Sequence, residues 1–159
     1  MPDGLFKTDV IISQNFFLEL DGETVSALIS VSGLDLELSV ASVRQVGKDG
    51  KQQLVKSLGT TTNVPDLTVT RIAPLSMEGD KVWEWFNSIR KSGTVGKDRT
   101  NHRKNGSIVL YDQAHSEVSR FNFFEAWPTK ISTDQLSVES SDAVKETITF
   151  TLERLDRVK

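Results

Sequence analysis

The residues able to do chemistry in this chain are few. There are two histidines, His102 and His115, and no cysteine. A thiolate nucleophile, a disulfide framework and a cysteine-built zinc site are thereby excluded. Neither histidine stands in the His-Glu-x-x-His spacing that sets two imidazoles on one helix face around zinc. His115 has Asp112 and Ser116 beside it. The stretch reads as a hairpin turn, and adjacency in a turn is not a nucleophile, base and orienting group in line. Gly96-Lys97 faintly resembles a phosphate loop, but Lys91 stands where its first glycine is needed. Asp98 stands where a hydroxyl would bind magnesium, and a carboxylate there repels phosphate. Carboxylates are plentiful, yet no spacing marks one pair as acid and base. The sequence predicts no catalytic residue, no metal ligand, no cofactor and no enzyme.

Binding chemistry is little stronger. The basic run Arg90, Lys91, Lys97, Arg99, Arg103 and Lys104, offset by Asp98, holds no aromatic residue on which a base could stack. It reads as a solvated loop, with docking on an acidic surface of another copy left open. Lys and Arg total 19 against 22 Asp and Glu, for a net charge of -3. That excludes a strongly basic domain whose affinity rests on neutralising phosphates. No apolar run approaches the roughly 18 residues of a membrane helix. Met1–Val10 lacks the pattern of a signal peptide, so synthesis in the cytoplasm is expected.

The elements that would position these residues are mostly strands. The 159 residues suggest one domain, 1–159, large enough for a real core. Asn15–Leu20 is aromatic and aliphatic, and Asp21-Gly22 after it favours a tight hairpin turn. Across Glu23–Val31, Val25, Ala27, Ile29 and Val31 share one face, with Leu28 the exception. Leu34, Leu36, Leu38 and Val40 alternate with Asp35, Glu37 and Ser39, predicting a strand with one side on a core. Ala41–Asn63 is long for a connection, and its scattered aliphatic residues argue against disorder. Leu67–Arg71, Ser107–Tyr111, Val118–Phe124 and Val144–Leu155 read as further strands. One helix is clear. Val82, Trp85, Phe86 and Ile89 stand at i, i+3, i+4 and i+7, an apolar stripe for the core. Ser76 is its candidate N-cap and Gly93 its stop. Trp127-Pro128 is expected to end a strand, with the indole covering one end of the core. The fold class is mainly β: an antiparallel sandwich or barrel with one packed α-helix and a long protruding loop or hairpin.

Several stretches, in order, resemble the inner-tube proteins of contractile phage tails and contractile injection systems. They are Val31-Ser32-Gly33-Leu34, Val82-Trp83-Glu84-Trp85-Phe86, Arg103–Asp112, Phe124–Ile131 and Glu146–Glu153. The chain departs from that pattern at Ile72-Ala73-Pro74, where the family often has a glycine. The resemblance implies a structural subunit that forms hexameric rings, stacked into a hollow tube. Its implied partners are other copies of itself, a sheath protein, baseplate and tube-terminating proteins, and DNA or protein cargo in the lumen. The implied location is a phage tail, virion or injection particle, released or kept inside the cell.

That implication directs attention to two segments. In 41–63, Val46, Leu54, Val55 and Leu58 are the expected apolar anchors for ring stacking, with Arg44, Lys48 and Lys51 as the polar rim. Asp35, Glu37 and Ser39 are the expected lumen-facing residues. A monomeric ligand-binding β-barrel and a small hydrolase built on His115 or a carboxylate pair are the alternatives. Size-exclusion chromatography separates the first from a tube subunit. Loss of a measured activity on His115→Ala would identify the second.

Overall fold

The computed structural model describes residues 15–38, 40–58, 64–92, 102–139 and 141–159. Strands β1 (Asn15–Leu20) and β2 (Glu23–Ala27) form the expected hairpin. Its turn places Asp21 at φ 51° and Gly22 at φ 84°, the doubly left-handed geometry that an Asp-Gly pair suits. β3 (Ser30–Ser32) follows, then β4 (Val40–Val46), β5 (Gln52–Leu58), β6 (Leu67–Ile72) and helix α1 (Lys81–Ser92). β7 (Lys104–Tyr111), β8 (Glu117–Thr133), β9 (Lys145–Thr151) and β10 (Arg154–Arg157) complete the chain. Every strand pair is antiparallel.

The main sheet runs β2-β1-β7-β8-β9-β6-β3, with β10 also on β8. It folds over on itself as a sandwich because three stretches of chain turn corners. At the first, Glu23–Val31 is two strands rather than the single one its alternation predicts. The Leu28 amide donates to Phe16 of β1, and the Ile29 amide donates to Thr70 of β6. The chain changes sheets there and the alternation slips by one. Leu28 is therefore buried and Ile29 exposed, the reverse of the simple reading. At the second, β8 runs straight through Trp127-Pro128, which was expected to end it. Its first part pairs with β7 and β10 and its last part with β9, with Glu125 at φ 54° and a bulge between Pro128 and Lys130. At the third, the expected strand Val144–Leu155 breaks between β9 and β10, opposite the bend in β8.

The core lies between the folded halves. Leu18, Leu67, Val69, Val82, Ile108, Phe123, Ile148 and Phe150 are fully enclosed. Helix α1 closes one side: Val82 and Trp85 are buried, and Trp85 stacks on Phe150 at 5.8 Å between ring centroids. The helix is capped by Asp80, not Ser76. The Trp83 amide donates to Asp80 Oδ2 at 3.0 Å, while Ser76 Oγ accepts only from Glu78 in the turn before it. Gly93 and the basic residues Lys97 and Arg99 lie outside the described residues, as do Met1–Val10 and Ser39.

The predicted strand 34–40 is not one. Residues 33–38 carry no ladder pairing, and Leu36, Leu38 and Val40 are 60%, 67% and 64% exposed. The face expected on the subunit's own core is open because no described strand lies beside it; of these residues only Leu34 packs against the core. Val40 instead opens β4.

Candidate functional site

Among the described residues the most deeply buried ionic cluster is centred on Arg71, and it positions the helix. Leu67, Val69 and Arg71 share the inward face of β6; Glu146, Ile148 and Phe150 share that of β9. The register pairs Arg71 directly with Glu146. The Arg71 side chain is 2% exposed. It donates to both oxygens of Asp80 at 2.9 and 2.7 Å and to Glu146 Oε1 at 2.6 Å. Trp83 Nε1 donates to Glu146 Oε2 at 3.2 Å. Burial opposes the guanidinium charge, but the bonds to Asp80 and Glu146 outweigh it and raise the Arg71 pKa further. This cluster escaped sequence reasoning, although its signal was present: one cation and one anion each in line with an otherwise apolar strand face. It ties the helix to the β6–β9 pair.

His115 stands at φ 60° in the β7–β8 turn. There the Ser116 amide donates to Asp112 Oδ1 and the His115 amide to the Asp112 carbonyl. Asp112 thus organises the turn through backbone amides, which is the solvated-turn reading.

The surface is where the molecule is incomplete. β4 and β5 form a separate two-stranded sheet, Val40 opposite Leu58 and Val46 opposite Gln52. Every residue of both strands is exposed. Cross-strand partners share a face, so Val40, Val46, Leu54 and Leu58 lie on one side with Arg44 and Lys56, and Val43 and Val55 on the other. A two-stranded hairpin is marginal by itself, and apolar groups on both faces need cover. The predicted stacking residues Arg44, Val46, Leu54, Val55 and Leu58 are all brought together on this hairpin, with Lys48 and Lys51 at its turn. The Lys51 amide donates to Asp49 Oδ1 at 3.2 Å to close that turn.

Two further surfaces flank the sandwich. Near the hairpin's root, Asp35, Leu36, Glu37 and Leu38 face Val64, Arg154, Leu155 and Asp156 across a cleft of about 470 Å³. At the other end of β6 and β9, the loop after β8 exposes Leu136 and Val138 around a cleft of about 580 Å³. The remaining expected core residues take graded positions. Ile89 and Trp127 pack against the core from partly buried positions. Phe86 is half-buried, edge-on to Trp83 at 6.1 Å. The Arg103 guanidinium lies 4.7 Å over the Trp127 ring and its Nη1 donates to Glu153 at 2.6 Å, fastening the corner between β9 and β10.

The described residues hold no cluster of three or more His, Asp or Glu able to bind a metal ion. Among them no helix is long and apolar enough to cross a membrane.

Similar structures share this architecture over almost the whole chain. The PVC sheath–tube complex of an extracellular contractile injection system, in its extended state, has a chain 21% identical to this one. The match covers 94% of this chain and 91% of that one, with a TM-score of 0.71. A chain in the tube-terminating cap of the anti-feeding prophage is 19% identical, with 98% of each chain covered and a TM-score of 0.72. Hcp1 from Flavobacterium johnsoniae is more distant: 15% identical, 91% of this chain and 94% of that one covered, TM-score 0.54. No curated protein matches the chain. The family model of the T4-like virus tail tube protein gp19 matches residues 13–156. The chain belongs to that family, and it is a structural subunit of a tube.

Proposed function

We propose that this subunit builds the inner tube of a contractile tail or contractile injection particle, with residues 1–159 acting as one tube domain. Hexameric rings stack head to tail, and the protruding segment 41–63 bridges successive rings. Val46, Leu54, Val55 and Leu58 supply the apolar anchors there; Arg44, Lys48 and Lys51 supply the rim. The observation that carries this reading is the hairpin itself: two strands, exposed on both faces, with no further strand paired to them among the described residues. A contact that joins unlike surfaces of identical subunits repeats along an axis, and rotation about the axis closes each ring.

The similar structures support the choice of partners. They include a sheath–tube complex, a sheath and tube terminator, and a baseplate. The proposed partners are accordingly further copies of the chain, a sheath protein, baseplate and terminating proteins, and DNA or protein cargo in the lumen. Asp35, Glu37 and Ser39 are proposed to face that lumen. The subunit is proposed to be no enzyme, made in the cytoplasm and built into a particle that is released or retained. Negative-stain electron microscopy of the purified protein tests the reading. Rings or tubes are expected, at high concentration or with a baseplate nucleator. A strictly monomeric protein at every concentration, absent from any sheathed particle, would overturn it.

A further inference from the structure

Hairpin β4–β5 and its turn carry Arg44, Lys48, Lys51 and Lys56 against the single carboxylate of Asp49. Among the described residues none of these four cations forms an ion pair. A surface that receives the hairpin must offer carboxylates interspersed with apolar groups. The loop between β8 and β9 does. It carries Asp134, Glu139 and Asp142, and between them Leu136 and Val138 are 71% and 104% exposed.

Topology puts the two surfaces at opposite ends of one sheet. The hairpin rejoins the sheet where β6 begins, at Leu67. The loop joins β8 to β9 at the far end, where Thr133 pairs with Glu146 and Ile72 pairs with Lys145. Translation along those strands therefore sets the hairpin end of one copy against the loop end of the next. A second acidic stretch, Asp35 and Glu37, lies at the hairpin's own root, in a cleft whose lining includes Arg154 and Asp156. It is the poorer acceptor for a contact between successive copies.

We infer that the acceptor for the basic hairpin is the acidic, apolar-tipped 134–144 loop of a second copy of this chain. The inference rests on the stacking role of the hairpin and names the surface that role requires. Opposite charge sets register and rejects the reversed orientation, since hairpin on hairpin would juxtapose cations. Leu136 and Val138 would cover apolar groups of the hairpin such as Val46 and Leu54.

Charge exchange tests it. Asp134→Lys with Glu139→Lys in the loop, and Lys48→Glu with Lys51→Glu in the hairpin, are each expected to raise the critical concentration for tube formation about tenfold or more. Circular dichroism checks that each variant is folded. The combined variant is expected to recover tubes, because the pairing is restored with its signs exchanged. If hairpin reversal blocks tubes and loop reversal does not, the acceptor is wrong while stacking by the hairpin stands. If neither reversal affects tubes, the stacking role itself fails. Failure of the combined variant to recover also overturns the pairing. Because the chain has no cysteine, a second arm needs no charge change. Val46→Cys with Val138→Cys, treated with a short bis-maleimide, should give a ladder of crosslinked multimers. Monomers alone from assembled tubes would overturn the contact.

Discussion

Arg71 is the side chain on which the helix and the β6–β9 pair meet. Its guanidinium holds Asp80, which caps α1, and Glu146, which also accepts from the indole of Trp83. Removing it leaves two carboxylates facing each other in the interior without their cation. Arg71→Met is expected to cost about 3–5 kcal/mol, read as a lowered midpoint in urea unfolding of the isolated subunit. A variant as stable as the parent would show that the cluster merely occupies the interior. On the outer side, Arg120 donates to both Glu117 and Glu19. The hydrogen bond from Arg120 holds the Glu117 carboxyl below the usual carboxylate range, although burial pulls the other way. A carboxylate whose folded pKa lies below its unfolded one stabilises the fold fully above the unfolded value. That contribution fades as pH falls through the folded value. Glu117→Gln should therefore be less stable than the parent at neutral pH, with the gap closing as the pH drops below the ordinary carboxylate range. Melting temperatures across that range check it, and a gap that widens in acid would contradict the assignment.

At the level of elements, the corners decide the architecture, and Gly33 holds the turn by which the chain leaves β3. It sits at φ +89°, and an added Cβ would collide with the backbone carbonyl of Asp66, which cannot swing aside. Gly33→Ala is expected to destabilise the subunit by more than about 1 kcal/mol, measured by denaturant unfolding. The hairpin should behave in the opposite way. Its strands are exposed throughout, so replacing 41–58 by a short Gly-Ser linker should leave a cooperative unfolding transition and abolish tubes. Normal tubes from that variant would remove the hairpin from stacking. The same contrast explains what the sequence could reveal. β1, β6, β9 and the helix stripe were legible because each covers its apolar face within this chain. The corner at Leu28-Ile29 was not, because alternation continues through a change of sheet by slipping one residue. Pro128 misled because a bulge lets β8 carry it onward. The Arg71–Glu146 pair was legible in principle, as opposite charges on two apolar faces that the register sets side by side. Residues 34–38 alternate cleanly yet form no strand, because alternation reports that a face is to be covered and not which chain covers it.

For the whole molecule, the proposed lumen position of Asp35 and Glu37 has the greatest consequence for cargo. In the subunit they are exposed and share a cleft with Arg154 and Asp156, beside the root of the hairpin. Symmetry repeats whatever they do around every ring. If they face the lumen, the wall carries an acidic band. Wall charge within about 10 Å of passing cargo acts largely unscreened at ordinary salt, and a negative wall repels phosphates, so nucleic acid would slide rather than stick. If they face a neighbouring subunit instead, they meet its cations across a contact that assembly depends on. Asp35→Lys with Glu37→Lys separates the two positions. A lumen position predicts tubes of normal shape with greater retention of a nucleic-acid probe, measured as the fraction of label that co-sediments with tubes. Retention should fall again as salt is raised, because a surface attraction of this kind is screened. An interface position predicts folded subunits that fail to assemble, and that result would move both carboxylates from the channel wall to the joint between subunits.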